Sequence, residues 1–257
     1  MSSPSQTLSG EYISNNDNIE QRCETLLNLF EASDQIVQAG RNTLKRINFE
    51  GSDCVVKAFR IPKFPQNYSY GILSKSKAKK SYDNAKKLIS LGFSSPTPIA
   101  YFEYRSAGKL KASYYICEFA ANTQTLHALL QKNPNLEPEF IKEFATFCRN
   151  LHHAGILHRD FNPKNILISE DHGDKSFSLV DINRITWSNA LSLEKSMASL
   201  SRLSLNEPTT KLLIEQYAKL AQVDSTQCQD LLNKAEQKTQ RYFKNKKRFR
   251  KIFPKKR

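Results

Sequence analysis

A chain of 257 residues with 39% apolar side chains is long enough to bury one large domain or two closely packed lobes. Its five cysteines, Cys23, Cys54, Cys117, Cys148 and Cys228, are scattered, odd in number and without a CxxC pair, which argues against a disulfide framework or a zinc site and for a reducing compartment. The formal net charge of +14 is uneven, because the last 17 residues, RYFKNKKRFRKIFPKKR, hold ten Lys or Arg and no acid.

The first twenty residues, MSSPSQTLSGEYISNNDNIE, are polar and read as disordered. They lack the basic start and apolar run of a secretion signal, and no stretch of about 18 apolar residues follows. The expectation is a cytosolic protein that does not span a membrane. IEQRCETLLNLFEA comes next as a short helix with Leu26, Leu27, Leu29 and Phe30 on one face. DQIVQAGRNTLKRINFEGSDCVVKAFRI alternates as three strands broken at Gly40 and at Glu50-Gly51. SKSKAKKSYDNAKKLISLGF carries Ala78, Tyr82, Ala85 and Ile89 at helical spacing, stops at Gly92 and is followed by Pro96 and Pro98. Two further strands, IAYFEYR and ASYYICEF, flank a turn at Gly108. The order predicts a five-stranded antiparallel sheet with one helix, followed by a half that is helical apart from one segment.

That segment is ILHRDFNPKNILI with SFSLVDINR after it. The helix EPEFIKEFATFCRNLHHAG, with Phe140, Phe144, Phe147 and Leu151 on one face, leads into it and stops at Gly155. The apolar runs ILI and FSLVD, separated by the polar SEDHGDKS with Gly173, read as a β-hairpin. In a hairpin the residue before the first strand and the residue ending the second share one end, so Asn165 and Asp181 are expected to be neighbours. A carboxylate beside an amide oxygen is a seat for Mg²⁺, a hard cation that keeps phosphate and water as its other ligands. Asp160, in the loop leading in, is left to face a substrate hydroxyl.

HRDxxxxN followed by a hairpin and a D-x-x loop resembles the signature of protein-kinase-like phosphotransferases, and CVVKAF upstream strengthens the likeness. More specifically, GRNTLK, VVKAFRIP, SKAKKSYDNAKKL, SSPTPIAY, SYYICEF, GILHRDFNPKNILI and FSLVDINR resemble the lipopolysaccharide core kinases, which phosphorylate Kdo or heptose sugars, over roughly residues 35 to 240. The resemblance implies an α+β, protein-kinase-like two-lobe fold: a leading helix, sheet and single helix over 21–118, a mainly helical lobe with the catalytic-loop hairpin over 119–240, and a basic tail over 241–257. It implies ATP and Mg²⁺ as cofactors. Asp160 is then the catalytic base, and Asn165 and Asp181 hold the metal. Lys57, a charge between Val55 and Phe59 on one face of its strand, grips the α- and β-phosphates, with snorkelling as the alternative. Gly40 fits the turn over the phosphates, and Glu118 and Phe119 the adenine through their backbone groups. His158, Arg159, His152 and His153 read as structural, and Lys164 as either a phosphate contact or a solvated side chain.

The pattern departs from the superfamily twice. From 74 to 92 the only acid is Asp83, where a helix glutamate would pair with the lysine, and Lys79 or Lys87 competes for it. The usual Asp-Phe-Gly is Asp181-Ile182-Asn183, without the glycine hinge. The reading is a kinase of an inner-core sugar, lipid-linked, at the inner face of the inner membrane. A protein-serine or small-molecule kinase, or a silent kinase-like binding module, are its alternatives. The tail, interleaved with Tyr242, Phe243, Phe249 and Phe253, suits an anionic membrane surface or RNA, with a solvated, frayed terminus as the plain alternative, and a nucleic-acid role rests on the tail alone, without a recognition motif.

Overall fold

The computed structural model describes residues 6–12, 18–40, 42–61, 75–107, 109–171 and 174–252. They form two compact units, one of residues up to Asn122 together with Ser178–Arg184, the other of Thr123–Phe177 with Ile185 onward. The division lies four residues beyond the boundary expected at 118.

In the first unit, β1 (Gln6–Tyr12), β2 (Ile36–Gln38), β3 (Thr43–Phe49), β4 (Ser52–Ala58), β5 (Pro98–Ser106) and β6 (Lys109–Glu118) build an antiparallel sheet in the order β1-β5-β6-β4-β3-β2. Six strands replace the five expected, because β1 comes from the terminus read as disordered. QTLSGEY pairs along its own whole length with Ala100–Ser106 of β5, with Gly10 opposite Phe102. A Cβ at Gly10 would lie 2.5 Å from the Tyr101 carbonyl oxygen, so glycine is what lets this edge strand close on its neighbour. The expected turn at Gly108 lies outside the described residues.

Alternation along the strands loads both faces. Cys54, Val56, Ala100, Phe102 and Ile116 pack with Cys23 and Leu26 of α1 (Ile19–Ala32). Phe59, Tyr101 and Tyr115 pack with Ala78 and Tyr82 of α2 (Lys77–Ser90). Helix α2 starts at Ser76, whose Oγ accepts the Lys79 amide at 3.1 Å, and buries Ala78, Ser81, Tyr82, Ala85 and Leu88. Lys57 therefore belongs to the α2 face, opposite Leu44 on β3 and Tyr115 on β6.

The second unit is mainly helical, with the expected hairpin and three-residue strands that its sequence does not announce. Helices α3 (Leu126–Lys132), α4 (Pro138–His153), α5 (Leu193–Leu200), α6 (Glu207–Ala221) and α7 (Ser225–Ile252) carry the core, with α4 packed on α6 and α5 on α7. Rings of Phe140, Phe144 and Phe147 on α4 meet Phe177 at centroid distances of 5.2–5.6 Å. Strand β7 (Thr123–Thr125) pairs with β9 (Ile166–Asp171), which neighbours β10 (Asp174–Leu179), so the expected hairpin is formed. Strand β8 (Ile156–His158) pairs with β11 (Ile185–Trp187). The turn into β8 needs Gly155, at φ +72, where a Cβ would collide with the Ser188 carbonyl. The basic tail is no separate segment: residues 241–252 continue α7.

His152, at the end of α4, is buried, and its Nδ1 lies 3.0 Å from the Tyr217 Oη of α6. Burial, reinforced by the Arg149 charge, lowers its pKa from 6.5 to about 3. The folded protein therefore holds it neutral while the unfolded chain protonates it. Its stabilisation is complete above the unfolded value of 6.5 and is lost as pH falls through 6.5 towards about 3. The loss amounts to about a few kcal/mol. Urea unfolding at pH 7.5 and pH 4.5 is expected to show a steeper loss for the parent than for His152→Gln; equal losses would contradict it.

Candidate active site

The first unit holds Lys57, Gly40, Glu118, Phe119 and Asp181. The Lys57 side chain is 12% exposed and its Nζ forms an ion pair with Asp181 Oδ1. These residues are 124 apart in sequence, and the pair forms because Ser178–Arg184 is laid against the sheet unit. Ser178 bridges Ser94 in parallel, Leu179 N–H donates to the Ser94 carbonyl at 3.0 Å, and Ser95 Oγ donates to the Leu179 carbonyl at 3.0 Å. Lys57 Nζ also sits 5.1 Å from the centroid of the Phe59 ring, whose π-face favours a cation. An ammonium this buried requires a counter-charge, and Asp181 supplies it.

Asp181 has φ +54, in the left-handed region that Asp tolerates better than most residues. Its Oδ1 accepts a second hydrogen bond, from Asn183 Nδ2 at 2.8 Å. Asp83, the acid considered as partner for Lys57, turns elsewhere: it pairs with Lys75 at 2.6 Å and lies 3.9 Å from Lys79. From its position on α2 the shorter side chain is engaged by lysines of its own neighbourhood, and the partner of Lys57 is Asp181.

Gly40 lies between β2 and β3 with φ outside the left-handed region, and a Cβ there would meet nothing within 4 Å, so no contact among the described residues requires glycine. Glu118 and Phe119, expected to meet adenine through backbone groups, have their amides engaged within the protein. Glu118 N–H donates to the Thr97 carbonyl at 2.9 Å and Phe119 N–H to the Asp53 carbonyl at 2.8 Å. Both amides are committed to the protein, so neither can donate to an adenine as arranged. A carbonyl has two lone pairs, and acceptance is what these residues can offer. The Phe119 ring is covered by the Arg46 guanidinium at 3.9 Å, itself held by Asp53 at 2.5 Å.

The second unit holds Asp160 and Asn165 in a loop built around one carbonyl. The Asp160 carbonyl accepts Asn162 N–H at 2.9 Å, Asn162 Nδ2 at 3.1 Å and Asn165 Nδ2 at 2.8 Å. Asp160 N–H donates to His158 Nδ1 at 3.2 Å, which makes that nitrogen the acceptor of a neutral imidazole. His158 is buried on β8 and paired to Ile185, so it is a post for the loop, as expected. Asn162 Oδ1 caps the 3-10 turn of residues 163–165 through Lys164 N–H at 3.0 Å, and Asn162 Nδ2 reaches Asp160 Oδ1 at 3.0 Å. Phe161 is fully buried and pins the loop from beneath. Lys164 is exposed.

The donor chemistry suits Mg²⁺. In the first unit Asp181 carries a carboxylate, and in the second the Asn165 amide, whose nitrogen donates to the Asp160 carbonyl, carries an oxygen, each a donor of the kind a hard cation takes. Among the described residues no group of three or more His, Cys, Asp or Glu could hold a metal ion. No described helix is long and apolar enough to cross a membrane.

Residues 42–222 match the lipopolysaccharide kinase (Kdo/WaaP) family. The 3-deoxy-D-manno-octulosonic acid kinase of Mannheimia succiniciproducens is 29% identical over 117 residues, which cover 46% of this chain and 48% of that protein. The match thus spans about half the length of this curated relative. The solved structure of WaaP in complex with acyl carrier protein superposes with a TM-score of 0.60 at 17% identity, covering 91% of this chain and 98% of that one. The likeness is one of fold, and the α+β, protein-kinase-like architecture expected from the sequence is the one adopted.

Proposed function

The chain belongs to the lipopolysaccharide kinase (Kdo/WaaP) family, and on that premise we propose that it transfers the γ-phosphoryl group of ATP to a hydroxyl of an inner-core sugar of lipopolysaccharide. Kdo is favoured over heptose, because the curated relative is named as a Kdo kinase. The observation that carries the reading is the ion pair of Lys57 with Asp181, which joins a buried ammonium to the carboxylate of the D-x-x loop.

Each residue has a role that its surroundings support. Lys57 presents its ammonium to the α- and β-phosphates. Asp181 and Asn165 each offer an oxygen to Mg²⁺, which when bound compensates the charge of the phosphates. Asp160, its loop fixed through its own backbone carbonyl, keeps a carboxylate to orient and accept the proton of the acceptor hydroxyl. The carbonyls of Glu118 or Phe119 accept from the adenine amino group, and Gly40 leaves room for phosphate against the β2–β3 turn.

Incubation of the purified protein with γ-labelled ATP, Mg²⁺ and a panel of acceptors tests this. Label is expected in Kdo-containing lipid A and absent from a generic serine-protein substrate; label in the protein substrate alone would return the chain to the protein-kinase alternative.

The acceptor is lipid-linked, and the basic end of α7 is the element suited to hold the enzyme near it, peripherally, at the inner face of the inner membrane. Tyr242 and Phe243 are each 59% exposed, with ring centroids 5.6 Å apart, beside exposed Arg241, Lys244 and Lys246. Phe253 and the side chain of Phe249 lie outside the described residues. A polybasic segment gains on the order of 1 kcal/mol per Lys or Arg near an anionic surface. Ten charges on one helix and its end cannot all touch, so about a few kcal/mol is expected. Truncation after Gln240 is expected to reduce co-sedimentation with anionic vesicles, with the intact protein's binding weakened by salt, while sparing ATP affinity. Equal binding by both proteins would remove the membrane role.

A further inference from the structure

The two departures of the sequence from the kinase pattern, a missing helix glutamate and a missing loop glycine, coincide with two asparagine side chains aimed at the Asp181 loop. Asn84 lies on α2 one position beyond Asp83, and its Nδ2 donates to the Ile182 carbonyl at 2.7 Å. Ile182 is 2% exposed, and the turn it begins, residues 182–184, packs on α2. Asn183, where a glycine would give the loop its hinge, donates from Nδ2 to Asp181 Oδ1 at 2.8 Å. Between them these bonds hold the peptide that joins Ile182 to Asn183 and the Asp181 carboxylate, next to and on a residue at φ +54.

We propose that Asn84 and Asn183 are positioning residues for Asp181, the α2 amide replacing the helix acid as the link between this helix and the metal-binding loop. This rests on the kinase reading. A helix acid would reach the loop through Lys57, as a charge. Asn84 reaches it directly as a neutral donor, and Lys57 is left to pair with Asp181 alone among the carboxylates considered for it. Helix α2 is a firm base for such a tether, being capped at Ser76 and buried along Ala78, Tyr82, Ala85 and Leu88. With Ser94 and Ser95 holding Leu179 on the other side, the carboxylate is supported from both directions in the chain. The loop then keeps one arrangement, as the absence of a glycine hinge also favours.

The test is the affinity of the full-length protein for ATP, measured by calorimetry in excess EDTA and again with saturating Mg²⁺. Asn84→Leu keeps the size and removes the donor; Asn183→Ala removes the second bond from the loop itself and leaves α2 untouched, which covers the case in which the first variant does not fold. In both, the gain in affinity brought by Mg²⁺ is expected to fall about tenfold, as for loss of a group that orients a metal ligand, with metal-free ATP affinity preserved. A Mg²⁺ gain equal to the parent's in either folded variant overturns the role proposed for that residue. Equal loss with and without Mg²⁺ assigns the residue to general packing and also overturns it. A parent protein without any Mg²⁺-dependent gain would instead count against the kinase reading itself.

Discussion

Replacement of Asp181 by alanine is expected to abolish Mg²⁺-dependent ATP turnover. The carboxylate serves two partners in the proposed account: Lys57 in the ion pair and the metal on the phosphates. Its removal leaves the triphosphate charge uncompensated where it develops, and leaves a 12%-exposed ammonium without its counter-charge. Retention of more than about a tenth of the parent kcat, a loss below about 1.4 kcal/mol, would show that Asp181 is not the metal carboxylate. Melting of the variant should be followed alongside, because the unpaired Lys57 lowers stability by a separate route.

The second large effect is expected for Asp160→Asn, and it is cleaner. The loop is organised by the Asp160 backbone carbonyl and amide, which the substitution leaves in place. The bond that the Asp160 side chain itself accepts among the described residues, from Asn162 Nδ2 to Oδ1, can be accepted equally by an amide oxygen. Folding and ATP affinity are therefore expected to persist while phosphoryl transfer falls by about 10²- to 10⁴-fold, the range for loss of a general base. Transfer above about a tenth of the parent rate would remove Asp160 from the chemistry.

What could be read from the sequence followed from local signals. The strands β3 to β6 and the helix carrying Ala78, Tyr82 and Ala85 have clear periods, β2 is marked off by the break at Gly40, and the HRDxxxxN loop announces itself by composition. Strands β7, β8 and β11 have three residues each, too few for a period of two to register. Strand β1 is polar and is recruited by β5 through Gly10, a long-range event that QTLSGEY does not encode by itself. The site shows the same division. Asp160, Asn165, Lys57 and Asp181 were legible as residue types in order, but the pairing of Lys57 with Asp181 over 124 positions was not, and an acid close in the chain, Asp83, was the competing reading.

Which backbone groups of Glu118 and Phe119 remain open was not legible, for a related reason. Their acceptors, the carbonyls of Thr97 and Asp53, come from a neighbouring loop and strand, and backbone bonding between segments leaves no trace in side-chain composition. Asn84 and Asn183 carried no signal on their own either. One sat within a lysine-rich helix and the other in place of a glycine, and their directions toward residues 181 and 182 emerge only once α2 and the loop are packed in the same unit.

Mass spectrometry of lipid A–core from a strain lacking the gene, complemented with the parent protein or with Asp160→Asn, tests the central claim most directly. The account expects the inner-core Kdo to lack one phosphate in the deletion strain and in the Asp160→Asn complement, and to regain it with the parent. A fully phosphorylated inner core in the deletion strain, or restoration by Asp160→Asn equal to that by the parent, would contradict it.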